Sequence, residues 1–242
     1  MLLENKIAVV TGAGTGIGKA AAMKLAGEGA LACLLGRTAG TLEAVKDAIE
    51  ASGGKASAYV CDVTDETQVR ATVGAILCDH GRIDILVNNA GMSREQPFLE
   101  MTVETFDAIM TTNLRSVMLM LKAVLPSMAE RKSGNVVNIG SGAAIRGLPG
   151  SAAYSVSKAG VVALTQALGD EMRPQGIRLN VICPGPVDTE LFQKSERRQF
   201  ILAAGGDVFD TETVANGILF LASDQSKGMS SQTLVMRGFN RW

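Results

Sequence analysis

Short apolar runs alternate with longer runs of helical periodicity from the first residues of this chain. Lys6–Thr11 reads KIAVVT and predicts a strand, whereas apolar residues at helical spacing over Gly16–Glu28 predict a helix. The alternation continues with predicted strands at Leu31–Leu35, Ala56–Cys61, Asp84–Val87, Asn135–Ile139, Arg178–Ile182 and Gln232–Met236, and with predicted helices at Gly40–Ala51 and Asp65–His80. Because strands that alternate with helices connect by right-handed βαβ crossovers, we predict an α/β fold with a doubly wound parallel sheet of about seven strands.

The composition of the 242 residues gives no sign of more than one domain and no sign of a charged partner such as nucleic acid. We find no linker rich in Pro, Ser or Gly, so we predict a single domain over residues 1–242. The 23 basic and 24 acidic side chains nearly cancel, which disfavours nucleic acid and anionic lipid as partners. No signal peptide is visible, and the nearest candidate for a membrane span, Val117–Leu125, is interrupted by Lys122. Four widely spaced cysteines show no metal or redox pattern, so we expect a cytoplasmic protein without a metal site.

A glycine-rich turn separates the first predicted strand from the first predicted helix. Residues 11–18 read TGAGTGIG, and their glycines would let a pyrophosphate approach backbone N–H groups at the amino terminus of the helix. Lys19 superficially suggests a nucleoside-triphosphate P-loop, but Ala13 stands where that motif needs Gly and Ala20 where it needs Ser or Thr. The turn therefore predicts a dinucleotide site.

Six motifs, in order, make the chain resemble the short-chain dehydrogenase/reductase family. They are the TGxxxGxG turn at 11–18, Asn88-Asn89-Ala90-Gly91, Asn113, Ser141, Tyr154-x-x-x-Lys158 and Pro184-Gly185-x-Val187-x-Thr189. Each motif alone is weak, because a lone Ser or Asn is more often a cap or turn residue. Their joint order over nearly the whole chain is specific. The resemblance implies a Rossmann-type sheet and an NAD(P)(H)-dependent oxidoreductase that interconverts a carbonyl and a secondary alcohol.

The resemblance implies a catalytic tetrad of Asn113, Ser141, Tyr154 and Lys158. Tyr154 would exchange a proton with the substrate oxygen, and Ser141 would orient and polarise the carbonyl. Lys158 would bind the nicotinamide ribose, and Asn113 would anchor a water that links Lys158 to solvent. Tyr154 and Lys158 are four residues apart on a predicted helix and therefore share one face. The neighbouring ammonium should lower the pKa of the Tyr154 phenol toward a useful range.

The resemblance also implies a set of cofactor-binding residues spread along the chain. They are Gly12, Thr15, Gly16, Ile17, Gly18, Arg37, Asp62, Val63, Asn89, Ala90, Gly91, Tyr154, Lys158, Pro184, Gly185, Val187 and Thr189. Asp62 and Val63 resemble the pair that contacts adenine. The second predicted strand is followed by Gly36 and Arg37, without the acidic residue that would bind a ribose 2′-hydroxyl and repel a 2′-phosphate. We therefore predict NADP(H), with NAD(H) as the alternative, since Arg37 could instead stack on adenine.

The resemblance leaves the substrate open beyond a small carbonyl compound or its alcohol. The chain is similar to 3-oxoacyl-carrier-protein reductases, so reduction of a carrier-bound ketone is the alternative function. Arg131 and Lys132 could meet an acidic carrier, but Gln175 stands where such reductases often present a base. A non-catalytic nucleotide sensor on the same fold is a remote alternative, because a sensor has no need of Tyr154 or Lys158.

Two predicted helices are apolar around much of their circumference, namely Thr111–Met128 and Ala152–Leu168. A helix that is apolar all round must be buried all round, yet helices in this architecture lie outside the sheet. We therefore predict a symmetric homo-oligomer with these helices at an interface, and the family resemblance suggests a tetramer. Coverage by loops of the same chain is the alternative.

Overall fold

The computed structural model describes residues 1–195, 197–203 and 205–238. Among these residues, seven parallel strands form one sheet in the order β3-β2-β1-β4-β5-β6-β7. The strands are β1 (Ile7–Thr11), β2 (Leu31–Gly36), β3 (Lys55–Val60), β4 (Ile85–Asn88), β5 (Gly134–Ile139), β6 (Ile177–Pro184) and β7 (Thr233–Met236). Every predicted strand is present to within two residues at either end, and the predicted fold class is confirmed.

Helices connect the strands, and three of the described helices lie between β6 and β7. They are α1 (Gly16–Gly27), α2 (Ala39–Ala51), α3 (Glu66–His80), α4 (Val103–Met110), α5 (Ser116–Glu130), α6 (Gly142–Ile145), α7 (Ala152–Met172), α8 (Glu190–Gln193), α9 (Arg197–Ala203) and α10 (Thr211–Ala222). A π-helical turn, Thr111–Arg115, joins α4 to α5. The predicted start at Thr111 was therefore wrong, because the helical run begins at Val103, where the Thr102 hydroxyl accepts a hydrogen bond from the Thr105 N–H.

The core consists of two apolar layers, one on each face of the sheet. Side chains of α1, α2 and α10 build one layer, and side chains of α3, α5 and α7 build the other. Successive strand residues alternate between them, so that Ala8 and Val10 enter the first layer and Val9 enters the second. Burial on both faces explains why the central strands β1, β2 and β4 are nearly continuous apolar runs.

The strand order reverses between β1 and β4, which pair directly. The chain runs from β1 toward β3 on one side and from β4 toward β7 on the other, so the loops at the carboxyl ends of β1 and β4 diverge. Such a divergence opens a crevice outside the carboxyl edge of the sheet, where ligands of doubly wound folds bind.

The opposite, amino edge of the sheet is held by the carboxylate of Asp84. It accepts hydrogen bonds from the Ile7 N–H at 2.9 Å and from the guanidinium groups of Arg82 and Arg131 at 3.0 Å each. Burial alone would raise the pKa of Asp84, but these donors outweigh it and lower that pKa. The cluster ties the amino ends of β1 and β4 to the end of α5.

The continuous helical run Val103–Glu130 is long and apolar enough to cross a membrane, by length and composition alone. In the structure α5 packs against β4, β5 and α3, and 44% of the most apolar window of the run is buried inside the protein. A core helix of a soluble protein has the same length and composition, so the run gives weak support to a membrane segment.

Candidate active site

The predicted site residues lie along the carboxyl edge of the sheet and on the helical segments beside it. Gly12–Gly18 follow β1, Arg37 follows β2, Asp62 and Val63 follow β3, Asn89–Gly91 follow β4, Ser141 follows β5, and Pro184–Thr189 end and follow β6. Tyr154 and Lys158 lie on α7, and Asn113 lies in the π-helical turn. One edge therefore carries residues from six strands, as the crevice of a doubly wound sheet requires.

The glycine turn needs its glycines for two separate reasons. Gly16, the first residue of α1, has a φ of +53°, in the left-handed region that favours glycine. A Cβ on Gly18 would lie 2.2 Å from the Gly12 carbonyl oxygen, so α1 approaches the turn too closely for any side chain there. The exposed Thr15 precedes α1 without a side-chain capping bond, and the first turn of α1 has no acidic residue. The turn can present its backbone N–H groups to an anion.

The loop after β4 is fastened to the end of β1. The side-chain amide of Asn89 donates to the carbonyl oxygens of Thr11 at 3.0 Å and Gly12 at 3.2 Å. The Thr11 hydroxyl accepts hydrogen bonds from the N–H groups of Asn89 at 2.9 Å and Ala90 at 3.0 Å. These four bonds fix the floor of the crevice at the point where the strand order reverses.

Arg37 and Asp62 border the crevice at the ends of β2 and β3. Arg37 is exposed, whereas Asp62 is partly buried and accepts from the Thr64 N–H at 2.9 Å and the Thr64 hydroxyl at 2.7 Å. The two hydrogen bonds from Thr64 lower the pKa of Asp62, and the charge of Arg37 adds a smaller effect in the same direction. Thr38 precedes α2 without a side-chain capping bond, and no acidic residue stands in the first turn of that helix.

Tyr154 and Lys158 share one face of α7, as their spacing predicts. The ammonium of Lys158 lies 6.0 Å from the centroid of the Tyr154 ring, and it donates to the Ile139 carbonyl oxygen at 2.8 Å. Lys158 is only 5% exposed, and burial lowers its pKa to about 8. The predicted effect on tyrosine was wrong for this structure. Burial raises the pKa of Tyr154, and the opposing effect comes from the hydroxyl of Ser141 rather than from the distant ammonium.

Ser141 is oriented by its own turn and supported by a residue that the sequence did not single out for this site. Its hydroxyl caps α6 by accepting from the Ala143 N–H at 3.1 Å, and it faces the phenol of Tyr154. The fully buried Cys183 lies beneath, where its thiol accepts the N–H of Ser141. A Cβ on Gly140 would come within 2.5 Å of the Cys183 sulfur, so the two positions are matched. No spacing pattern could have indicated this contact, because it depends on how β5 and β6 pair.

Asn113 is fully buried, and its side-chain amide is engaged with protein atoms. The Oδ1 atom accepts from the Met92 N–H at 2.7 Å, and Nδ2 donates to the Met92 carbonyl oxygen at 2.9 Å and to the Ser157 hydroxyl at 3.0 Å. A Cβ on Gly91 would lie 3.2 Å from this Oδ1 and 3.5 Å from the Lys158 ammonium, so both groups adjoin the loop after β4. The water-anchoring role of Asn113 stays a prediction, and the structure adds a clamp on Met92.

The segment after β6 returns toward the glycine turn. The Gly185 N–H donates to the Met236 carbonyl oxygen at 2.9 Å, and Val187 forms an isolated bridge with Phe209. The Thr189 hydroxyl caps α8, and its methyl carbon would lie 3.2 Å from a Cβ placed on Gly16. This segment and the glycine turn therefore close the crevice from two sides.

Comparison with known proteins gives one family and near neighbours in structure. The family described as short chain dehydrogenase matches residues 6–199. A 3-oxoacyl-(acyl-carrier-protein) reductase from Thermotoga maritima is 36% identical over 242 residues, which cover 98% of this chain and 98% of that protein. The superposition on the crystal structure of levodione reductase covers 98% of this chain and 97% of the levodione reductase chain, with a TM-score of 0.93 and 34% identity. The crystal structure of NAD⁺-bound xylitol dehydrogenase covers 98% of this chain and 100% of the xylitol dehydrogenase chain, with a TM-score of 0.91 and 32% identity.

Proposed function

This chain belongs to the short-chain dehydrogenase family, and on that premise we propose that it is an NADP(H)-preferring reductase of small carbonyl compounds with Tyr154 as its acid/base. The family and the full-length relatives make it an oxidoreductase that interconverts a carbonyl and a secondary alcohol with a nicotinamide cofactor. The observation that carries the proposal is the grouping of Ser141, Tyr154 and Lys158 beside the loop after β4.

The residues of the crevice fit a dinucleotide. The backbone N–H groups at Gly16–Gly18 would bind the pyrophosphate, since Gly16 and Gly18 carry no side chain and the dipole of α1 favours an anion there. Asn89–Gly91 and Pro184–Thr189 would flank the nicotinamide half, and Lys158 would donate to its ribose. Asp62 and Val63 would contact the adenine. When bound, the nicotinamide supplies or accepts the hydride.

The end of β2 favours a 2′-phosphate. Arg37 offers a guanidinium, and Thr38 offers a hydroxyl that caps nothing. The amino terminus of the 13-residue α2 follows immediately, without an acidic side chain in its first turn. These three features attract a phosphate dianion, whereas the carboxylate that would bind a 2′-hydroxyl is missing from this position.

Proton transfer follows from the state of the Tyr154 phenol. Because burial raises its pKa, the phenol is protonated at neutral pH and can donate to a carbonyl oxygen as the hydride arrives. The Ser141 hydroxyl accepts the Ala143 N–H, which leaves its own hydrogen to polarise the same carbonyl. The Ser141 hydroxyl, whose hydrogen bond lowers the pKa of Tyr154, then stabilises the phenolate that remains.

A free small substrate is favoured over a carrier-bound one by the state of Arg131. Its guanidinium donates to the Asp84 carboxylate at 3.0 Å, to the Ser127 carbonyl oxygen at 3.3 Å and to the Ile83 carbonyl oxygen. A carrier's acidic residues would have to displace those partners, which leaves the exposed Lys132 as the remaining base, and Gln175 adds no charge of its own. The second candidate, reduction of a 3-oxoacyl carrier protein, is supported by the 36% identity over the full length of such a reductase.

A homo-oligomer is supported by the outer face of α7. Val156 is 51% exposed, and Ala159, Ala163 and Ala167 on the same face are exposed as well. Loops of the described chain therefore do not cover this apolar stripe, although coverage by the chain's own loops was the alternative to an oligomer. A second copy that packs its own α7 against it would bury the stripe in a symmetric interface. A tetramer and a cytoplasmic location remain part of the proposal.

The test is a panel of free ketones, sugars and polyols beside a 3-oxoacyl thioester of a carrier protein, each with NADPH and NADH. We expect reduction of free ketones with NADPH. Tyr154→Phe should lower kcat by about 10²–10⁴-fold with cofactor affinity kept within a few-fold.

The chain has only two tyrosines, so Tyr59→Phe is the matched control. Tyr59 lies on β3, where its hydroxyl bonds to Asp79 and His80, and its loss should leave kcat unchanged. A Tyr154→Phe enzyme with the normal rate would overturn the acid/base assignment. A kcat/KM far higher for the carrier thioester would favour the second candidate.

A further inference from the structure

Ser157 stands between Tyr154 and Lys158 on α7 and has no part in the chemistry above. It is fully buried, its hydroxyl accepts from Asn113 Nδ2 at 3.0 Å, and it donates to the Tyr154 carbonyl oxygen at 2.7 Å. We infer that Ser157 is a positioning residue that ties the catalytic turn of α7 to the loop holding the nicotinamide half of the cofactor. The inference rests on the proposed function, because it needs Tyr154 and Lys158 to be the catalytic pair.

The tie is an unbroken chain of hydrogen bonds through one amide. The side chain of Asn113 pairs with both backbone polar groups of Met92, the residue after Gly91. A primary amide has two hydrogens, and the one that Met92 does not accept is accepted by Ser157. Displacement of the loop after β4 is thereby transmitted to the backbone of Tyr154.

Asn113 lies in a π-helical turn, so the hydrogen-bonded connection between Ser157 and Met92 is easily disturbed. A π turn is a local widening of a helix that is rare and concentrated at functional sites. The turn Thr111–Arg115 contacts α4, α5 and α7, and Ser157 is the partner on α7 that hydrogen-bonds into it. Without this hydroxyl, a buried N–H of Asn113 loses its acceptor, which favours a relaxed turn that moves Met92 and its neighbour Gly91.

The consequence for catalysis follows from the position of Gly91. The site of a Cβ on Gly91 lies 3.5 Å from the Lys158 ammonium, so movement of this loop changes both the cofactor crevice and the surroundings of the lysine. A loosened loop also admits water to Lys158, whose pKa burial holds at about 8. Loss of Ser157 should therefore lower kcat, weaken NADPH binding and move the pH profile together.

Thr165 provides a matched control on the same helix. It is fully buried, its hydroxyl accepts from Asn138 Nδ2 at 2.8 Å, and it donates to the Val161 carbonyl oxygen at 2.6 Å. Its bonding pattern repeats that of Ser157 two helical turns away, but its asparagine belongs to β5 and accepts from Asn88 Nδ2 of β4 at 2.8 Å, so this connection ends within the sheet and does not bond to Met92. A merely structural role of Ser157 would make the two hydroxyls equivalent in their effect on kinetics.

The experiment compares Ser157→Ala, Ser157→Thr and Thr165→Val with the wild type. Unfolding temperature, kcat, KM for a ketone, its pH profile and NADPH affinity by calorimetry are measured for each protein. We expect both hydroxyl deletions to lower the unfolding temperature. Only Ser157→Ala should lower kcat, by about tenfold, and weaken NADPH binding several-fold, as the loss of a buried hydrogen bond predicts. Its alkaline pH limit should move upward.

Ser157→Thr keeps the hydroxyl and should restore kcat, NADPH affinity and the alkaline pH limit. If the Ser157→Thr protein does not fold, Ser157→Cys, which keeps a weak acceptor, gives the same comparison. Unchanged kcat and NADPH affinity in Ser157→Ala, or equal kinetic losses in Thr165→Val, would overturn the inference. Tyr154→Phe is assayed in parallel to separate the two claims. If it is inactive while Ser157→Ala is normal, the inference alone fails. If Tyr154→Phe is active, the proposed function fails first.

Discussion

The ammonium nitrogen of Lys158 lies 2.8 Å from the carbonyl oxygen of Ile139, the last residue of β5, in surroundings that leave Lys158 only 5% exposed. A charge held this far from water is disfavoured in the folded protein relative to the unfolded chain. Its pKa falls accordingly from 10.5 to about 8. The lysine that the chemistry needs is therefore expected to reduce the stability of the fold at neutral pH.

Replacement of Lys158 by an uncharged residue tests directly how much its buried charge reduces the free energy of unfolding. The folded pKa lies below the unfolded one, so the cost is present in full below about pH 8 and disappears as the pH rises toward 10.5. We expect Lys158→Met to be inactive yet more stable than the wild type at pH 7, by about 1–3 kcal/mol after the lost bond to Ile139 is allowed for. Urea unfolding at pH 7 and pH 10 measures the difference, which should shrink at the higher pH. A variant less stable at pH 7 would contradict this expectation.

Cofactor choice should depend on the residues at the end of β2. Hydrogen bonds to charged groups contribute about 1.5–3 kcal/mol, so Arg37→Ala should lower kcat/KM for NADPH by about ten- to a hundred-fold while NADH changes little. Thr38→Val should act in the same direction, with a smaller effect from a neutral donor. Steady-state kinetics with both cofactors gives the comparison. Equal losses for NADH and NADPH in Arg37→Ala would mean that its guanidinium contacts adenine and not the phosphate.

Introduction of a carboxylate at Gly36 should reverse the preference. Gly36→Asp places a negative charge beside the 2′-phosphate and an acceptor beside a 2′-hydroxyl. A Cβ at this position lies 3.2 Å from a methyl carbon of the buried Leu42, so some loss is expected from contact alone. Gly36→Ala introduces the same contact without the charge and is the control. A reversal in both variants would assign the effect to packing.

Ser231 is the clearest opportunity to stabilise the fold. Its φ is +62°, which is unfavourable for a residue with a Cβ, although its hydroxyl bonds to Asp170 at 2.8 Å. We expect Ser231→Gly to gain about 0.5–1 kcal/mol and to raise the unfolding temperature by about 1–3 °C. Ser231→Ala removes the same hydroxyl and keeps the strain, so it should lower the temperature in calorimetry. The opposite order of the two variants would rule out the backbone as the cause.

Assembly is tested on the exposed face of α7. Light scattering of the wild type at micromolar concentration should show a stable oligomer, with a tetramer as the expected size. Ala163→Arg places a charge on the exposed face of α7 and should dissociate that contact without unfolding the chain. Ala51→Arg, at the exposed end of α2 on the other face of the sheet, is the control and should keep the oligomer. A monomeric wild type would sink the proposal.

The strands could be predicted from the sequence because most of them are short apolar runs, and the central strands β1, β2 and β4 are buried on both faces. The end of β6 could not, since Cys183 and Pro184 join the strand only by pairing with Val235 and Met236 of β7. The π-helical turn at Thr111–Arg115 was also missed. Its widening reflects contacts with α4, α5 and α7, and local periodicity does not record such contacts.

The site residues could be named from motifs, but their electrostatics could not. Spacing placed Tyr154 and Lys158 on one face, yet the sign of the pKa shift of Tyr154 depends on burial, which neighbours along a helix do not reveal. Ser157 was overlooked for a similar reason. A small polar residue beside Lys158 is unremarkable until its partner Asn113, 44 positions earlier, is seen to reach it.

The Asp84 cluster lies at the edge of the sheet opposite to the candidate catalytic groups. Substitutions in the loops after β4 and β6 therefore do not touch the contacts that hold the amino ends of β1 and β4. Because of this separation, mutations that change the substrate specificity of the enzyme need not destabilise its fold. Such mutations can therefore persist during evolution. We expect libraries randomised in the loop after β6 to retain mostly folded members, whereas libraries at Arg82, Asp84 and Arg131 should consist mostly of chains that fail to accumulate.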